Sequence, residues 1–393
     1  MSLRSWFPPG FRPVFVRLFV IFIAIGSPFD LRATQWRLYV GTYTSGDSEG
    51  IYSAIWDDSN GALRLEGLAA VAENPSFLAL RGDDLLVAVN EITEYQGKAS
   101  GYLTSYRIDS ASGSLNEVNR VASEGGAPCH VAIDPSGSWA LVANYVGGNA
   151  ASFGLSEEGR LSEAVSVVQH QGSSVNERRQ EGPHAHSVSL TPDGQFVFVA
   201  DLGIDAIKAY SFNKNSGALT AAAGLDVTTA PGAGPRHFDF HPSAQSAYGI
   251  NELNSTLDRF DFDAATGRLQ RRQTLSTLPA GPVPGNSTAD VHVHPNGRFV
   301  YGSNRGHDSI VVYRMEGPRG GLVRVENQEI GGRTPRNFSI DPTGNFLLVG
   351  CQNSDRITVF AIDGETGALT PHGEPLAVPS PVCLLFAPIS ESL

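Results

Sequence analysis

The chain has 393 residues, with 40 Asp and Glu against 28 Lys and Arg, a formal net charge of −12. This argues against a free nucleic-acid binder, because neutralising phosphates requires a basic surface. Hydrophobic residues make up 41% and charged ones 17%, with 43 glycines and 24 prolines, so the chain can bury a large core, and many turns with few long helices are expected.

The first segment carries Arg4, Arg12 and Arg17, no acid before Asp30, and then the apolar run Leu18 to Gly26. A basic region followed by a short apolar one is the order of a secretory signal, and this run falls short of the roughly 20 residues a membrane span needs. Residues 1–26 are therefore read as a signal peptide, with Ala24-Ile25-Gly26 as the cleavage motif and a later site near Ala33 as second choice. Cleavage makes the protein exported, periplasmic or secreted. An uncleaved tether or a start further along the chain would place it in another compartment, the cytoplasm in the latter case.

From there the chain is one array of repeats, with a unit of roughly 50 residues. An alternating apolar strand ends in an acid or His plus Pro, turns through a Gly, and runs into a second strand ending in Asn or a relative. A third strand leads into a turn of the type D-x-x-x-G-x-L. Copies start at Pro75, Cys129, His186, Arg236, Ala289 and Arg336, and closing turns include Tyr106-RIDSASGSL, Phe260-DFDAATGRL and Phe360-AIDGETGAL. Short strands rich in Val, Ile and Phe with Gly, Pro, Asn and Asp turns predict antiparallel meanders. Four-stranded meanders repeated radially predict an all-β fold, a seven-bladed β-propeller. Leu38-YVGTYT and its continuation lack a first strand, whereas Ser380-PVCLLFAP is a first strand with nothing after it. The two termini are expected to complete one blade and close the ring, giving a single domain over residues 36–390.

Positions shared by every copy belong to the scaffold, so the informative residues are those where one copy departs from the rest. Six residues before the turn proline stand Cys129, His186, Arg236, Ala289 and Arg336; just past the second strand come Glu91, Tyr145, Leu202, Glu252, Arg305 and Asn353. In an antiparallel meander these two points share a rim. His186, Arg236, Arg336, Glu252 and Arg305, with Glu91, should therefore converge on one mouth of the central channel, a concave site of convergent polar groups.

Blander readings compete. His241 and His294 stand where Asp134 and Asp341 precede the turn proline, so they read as turn residues. The pairs His184-x-His186 and His292-x-His294 share a strand face but lack a carboxylate in register, which disfavours a metal site. Arg305 has Asp308 nearby as an alternative partner. The three cysteines, Cys129, Cys351 and Cys383, permit at most one disulfide and read as buried small hydrophobes.

Val40-GTYT, Gly182-PHAHS, Ala200-DLGID, Gly234-PRHFDFHP, Asn251-ELNST, Ser303-NRGHDSI and Pro335-RNFSIDPTG together resemble the seven-bladed propeller lactonases. That family includes the propeller type of 6-phosphogluconolactonase and is related to fungal carboxymuconate cycloisomerases. The resemblance implies a lactone hydrolase whose catalytic His, Arg, Glu and second Arg fall on His186, Arg236, Glu252 and Arg305. Arg336, His184 and Glu91 are added as candidate substrate-binding residues. Lactone hydrolysis needs an activated water, donors where the carbonyl oxygen gains charge, and a proton for the leaving alkoxide. Glu252 or His186 could serve as base and Arg236 or Arg305 as oxyanion donor, with no metal or organic cofactor. The expected partner is a small-molecule lactone or another organic-acid substrate, with no nucleic acid, no membrane after signal cleavage, and a monomeric chain. A cycloisomerase and a non-catalytic binding propeller are the alternatives. A cytoplasmic phosphorylated lactone would not be met by an exported enzyme, so either the chain is not exported or it opens a different lactone, such as an unphosphorylated aldonolactone outside the cytoplasm.

Overall fold

The computed structural model describes residues 35–317 and 319–389, and the expected signal peptide lies outside these residues. Among the described residues there is no α-helix, only strands and one short 3₁₀ turn at Gln352–Ser354. The strands form seven antiparallel sheets of the expected kind. Their innermost strands, Phe77–Arg81, Pro128–Ile133, Ala185–Leu190, Pro235–Phe240, Ser287–Val293, Pro335–Ile340 and Pro381–Pro388, contact one another in ring order around a central channel.

Six blades run outward in chain order. In the third, the outer edge is split into Leu219–Ala221 and Val227–Thr228, both paired with Ala206–Phe212. The last blade has the composition that the sequence predicted. Its innermost strand is the C-terminal Pro381–Pro388, paired antiparallel with the N-terminal Gln35–Thr42, Trp36 opposite Pro388 and Val40 opposite Leu384. Closure therefore rests on backbone hydrogen bonds between the two chain ends, and no blade face is left open.

The core is a set of seams between neighbouring blades. Tyr248, Ile250 and Leu257 meet Val291, Val300 and Tyr313 across one seam, while Leu38, Val40 and Trp56 meet Leu348 and Ile357 across the closing one. Each fully buried aliphatic or aromatic side chain in such a seam contributes about 1.5–3 kcal/mol. The closing turns are tight, with Gly217 N donating to Asn213 O and Gly367 N to Asp363 O, both at 2.7 Å. Gly217 has φ +69°, and a Cβ there would meet the Trp139 ring at 2.3 Å, so only glycine serves.

The two ends of the innermost strands are built differently. At the turn end, Asp134 Oδ1 accepts from Ser138 N and Trp139 N at 2.9 and 2.8 Å, and Asp341 Oδ1 accepts from Asn345 N and Phe346 N, both at 2.8 Å. His241 and His294 do hold the same place. Their Nδ1 atoms accept from Ser243 N and Asn296 N, and their Nε2 atoms donate to Gly297 O and Gly344 O of the next blade. At the opposite end the strand does not keep the plain alternation expected from the sequence. Pairing skips Cys129, His186, Arg236 and Arg336, the Ala289-Asp290 pair faces one residue, and Val382 is skipped in the closing strand. These are β-bulges, which release a residue from the ladder and re-aim its side chain.

Candidate active site

The bulges turn the variable residues of the repeat into the mouth of the channel. The residue after each second strand reaches the same rim, since Glu252 N donates to Gly234 O, Glu91 N to Asn74 O and Tyr145 N to Ala127 O, each just before an innermost strand. Together they line a cavity of about 360 Å³, walled by Tyr43, Glu91, Cys129, Tyr145, Arg179, His186, Glu252, Ser287, Arg305 and Arg336. Arg236 lies directly beneath, beside Cys129, Glu91 and Arg336.

Glu252 is the hub of this arrangement. Its Oε1 accepts from Arg179 Nη2 at 2.6 Å, and its Oε2 lies 2.9 Å from Arg305 Nη2 and 3.0 Å from Arg236 Nε. Burial would raise the carboxyl, but Arg305, Arg236 and Arg179 outweigh it and hold Glu252 down to about 2. It is an anchor for three guanidinium groups and a weak base at neutral pH. Arg305 pairs with Glu252, not with Asp308. Two backbone carbonyls complete the seating, Ala289 O accepting from Arg236 Nη1 and Thr288 O from Arg305 Nη2 at 2.7 Å. Burial, with Arg305 and Arg336 nearby, pushes Arg236 down to about 9, so it stays cationic at neutral pH. The Nε of Arg305 is buried with no hydrogen-bond partner among the described residues, whereas that of Arg236 is held in its ion pair with Glu252.

Across the cavity, His186 is 5% exposed. Burial, then the Arg236 charge, drives its pKa well below the ordinary 6.5, so the ring is neutral. Its Nδ1 faces the Cys129 thiol at 3.7 Å, and that S–H donates to His186 O at 3.2 Å. Burial pushes the Cys129 thiol up, which keeps it protonated. Tyr145 packs edge-on to His186, with ring centroids 5.4 Å apart, and accepts a hydrogen bond from Arg179 at 3.1 Å. On the remaining wall Tyr43 donates to Glu91 Oε2 at 2.8 Å, while the Arg336 guanidinium lies over the Tyr43 ring, 5.1 Å from its centre. Arg336 has no carboxylate within ion-pair distance among the described residues. Four guanidinium groups against two carboxylates leave the site electropositive in an acidic protein.

Of the residues singled out in the sequence, His186, Glu252, Arg305, Arg336 and Glu91 line the cavity and Arg236 closes its floor. His184 stands one layer out, stacked on Tyr145 at 4.5 Å with its Nε2 3.3 Å from Glu181 Oε1. Sequence reasoning missed Arg179, Tyr43 and Ser287, and left Tyr145 out of its candidates although it placed that position at the rim. Arg179 had a legible signal, because the connection carrying it, residues 170–184, is 15 residues long where the other outer-to-inner connections among the described residues run three to ten.

The family model described as "Lactonase, 7-bladed beta-propeller" matches residues 37–386. The chain belongs to the seven-bladed β-propeller lactonases. This lactonase is 37% identical over 353 residues to the 6-phosphogluconolactonase of Bacillus subtilis, covering 90% of this chain and 99% of the relative. A 6-phosphogluconolactonase of Formosa agariphila is 31% identical, with 77% of this chain and 86% of the relative covered. Among solved structures, the periplasmic gluconolactonase of Pseudomonas aeruginosa superposes on the propeller with a TM-score of 0.84 at 35% identity, covering 91% of this chain and all of that one. These relatives make the protein a lactonase enzyme of the 6-phosphogluconolactonase-like kind, so the non-catalytic alternative falls away.

Proposed function

We propose that the protein hydrolyses a sugar lactone, an unphosphorylated aldonolactone met outside the cytoplasm, by direct water attack at the propeller mouth. The observation that carries this reading is the neutral His186 facing three guanidinium groups locked by Glu252. In the scheme, His186 Nε2 takes a proton from water as the oxygen adds to the lactone carbonyl carbon. The carbonyl oxygen becomes an oxyanion held by the guanidinium charges of Arg236 and Arg305. The tetrahedral adduct collapses, the ring C–O bond breaks, and the departing alkoxide takes the proton back from His186. The product is a hydroxy acid that loses its proton to solvent. Glu252 holds the guanidinium groups and transfers no proton, and the scheme calls on no metal or organic cofactor.

The leader-like first segment and the similarity to a periplasmic gluconolactonase support the unphosphorylated substrate. One observation favours a second reading. Arg336, a buried-wall cation without a carboxylate partner, suits a phosphate or carboxylate on the substrate. Hydrolysis rates of gluconolactone and its 6-phosphate by purified protein, with Glu252→Gln as control, test both. Higher kcat/KM on the neutral lactone, lost in the variant, is expected. A preference for the phosphate ester of more than tenfold would support the second reading, and hydrolysis of neither would overturn both.

A further inference from the structure

Beneath the mouth, the residue that follows each bulge is polar in five successive innermost strands: His130, Ser187, His237, Asp290 and Asn337. The reaction uses none of them. Asp290 is the centre of this layer and is 2% exposed. Its Oδ1 accepts from His237 Nδ1 at 2.6 Å and Val291 N at 3.0 Å; its Oδ2 accepts from Asn337 Nδ2 at 2.6 Å and His292 Nε2 at 3.1 Å. Its own N–H donates to Ser303 Oγ at 3.0 Å. All four acceptor sites of a carboxylate are therefore occupied. The donors come from specific places. His237 follows Arg236, Asn337 follows Arg336, and Asp290 itself follows Ala289, whose carbonyl seats Arg236. Asn337 extends the tie to the closing strand, its Oδ1 accepting from Leu384 N at 2.7 Å.

We infer that Asp290, which touches neither the cavity nor the substrate, is a positioning residue that fixes the guanidinium of Arg236 by tying its bulge to the bulge bearing its carbonyl acceptor. The inference rests on the proposed role of Arg236 in the reaction. Two adjacent bulges have no ladder bond at the skipped residue to hold them in phase. A single carboxylate bonded to both supplies that constraint, and a shift of even 1 Å in an oxyanion donor costs on the order of a hundredfold in rate. An amide in its place would present an NH₂ group to either the His237 N–H or the Asn337 NH₂, which breaks one arm of the tie.

The test is a double-mutant cycle. Asp290→Asn is expected to lower kcat/KM by roughly tenfold to a hundredfold, mainly through kcat, with the β-sheet circular dichroism unchanged. Introduced into Arg236→Ala, the same change should have at least threefold less effect, because the group it positions is gone. Effects that multiply within threefold, or an Asp290→Asn enzyme of full activity, would overturn the inference while leaving the proposed reaction standing. An Arg236→Ala enzyme as active as the parent would instead bring down the assigned role of Arg236, and this inference with it. If Asp290→Asn yields no soluble protein, Asn337→Ala, which removes one arm of the tie, takes its place in the cycle with the same criteria at smaller amplitude.

Discussion

In five of the seven innermost strands of the propeller, all but the first and the closing one, one end repeats and the other does not. At the turn end, Asp134, Asp341, His241 and His294 do the same work of accepting backbone N–H groups, and the two histidines add a bond to the next blade. At the bulge end the corresponding position holds Cys129, His186, Arg236, Ala289 or Arg336. The turn must satisfy its own backbone, which is the same problem in every blade, so few side chains solve it. A bulged residue is released from the ladder and is free to serve chemistry instead. The scaffold and the site are thus separated by about six residues of the same strand.

Glu252 is where breaking the bulge end should cost most. Glu252→Gln leaves Arg179, Arg236 and Arg305 without their shared countercharge. A loss of about 10²–10³-fold in kcat/KM is expected, with about 3–5 kcal/mol of stability lost from the broken buried pairs. Steady-state kinetics and urea denaturation on the same preparation measure both. Arg236→Lys is the next step down. It keeps the charge and loses the fork that reaches Glu252 and Ala289 O together, so kcat should fall on the order of tenfold. Unchanged turnover would sink the assigned role of Arg236.

Fold and site were legible to different depths. The repeat, the ring and the clasp of Pro381–Pro388 with Gln35–Thr42 followed from strand alternation and turn residues, because those patterns are local. His186, Arg236, Glu252 and Arg305 stood out because each broke the pattern of its siblings. The bulge was hidden, since an extra residue leaves no mark in a strand of six, and the plain alternation expected from the sequence placed the right residues at the rim by the wrong geometry. The guanidinium of Arg179 meets Glu252 across 73 positions of sequence, and only its long connection hinted at it. The low basicity of Glu252 was beyond sequence reasoning too, because it depends on three arginines converging on one carboxylate.

Acid should separate the two ends next. His186 and His237 are buried, and burial, followed by the Arg236 charge, lowers both below the ordinary 6.5, His237 to about 4; His130 is lowered likewise by burial. Unfolded, these rings take up protons near pH 6.5 that the folded channel refuses. The stability they confer is therefore present above 6.5 and lost as pH falls below it, by about 1.4 kcal/mol per pH unit for each ring that stays neutral. Glu252 adds a second loss of the same sign from 4.5 towards 2. His292 has the opposite sign. Asp290 overcomes the effect of burial and raises it to about 9, so its contribution is complete below 6.5 and fades as pH climbs through 9. Urea midpoints should consequently rise from pH 5 to 7, and a flat profile over that range would contradict neutral channel histidines. Over the same range kcat/KM should show no titration near 6.5, because His186 is already in its basic form.

The smallest catalytic effect belongs to the turn end. Asp341 is fully buried and accepts from Asn345 N, Phe346 N and the Thr343 hydroxyl, the last at 2.6 Å. Asp341→Ala strips these acceptors from a turn that water reaches only in part, so about 2 kcal/mol of stability should be lost. The bulge of the same strand carries Arg336 at the mouth, and the paired segment between them, Asn337 to Ile340, remains held by the ladder to Leu347–Gly350. If scaffold and site are separable along the strand, kcat and KM of Asp341→Ala measured well below its melting transition should match the parent within twofold. A larger change in KM would mean that turn geometry is transmitted through the strand to Arg336, and that the two ends are one mechanical unit.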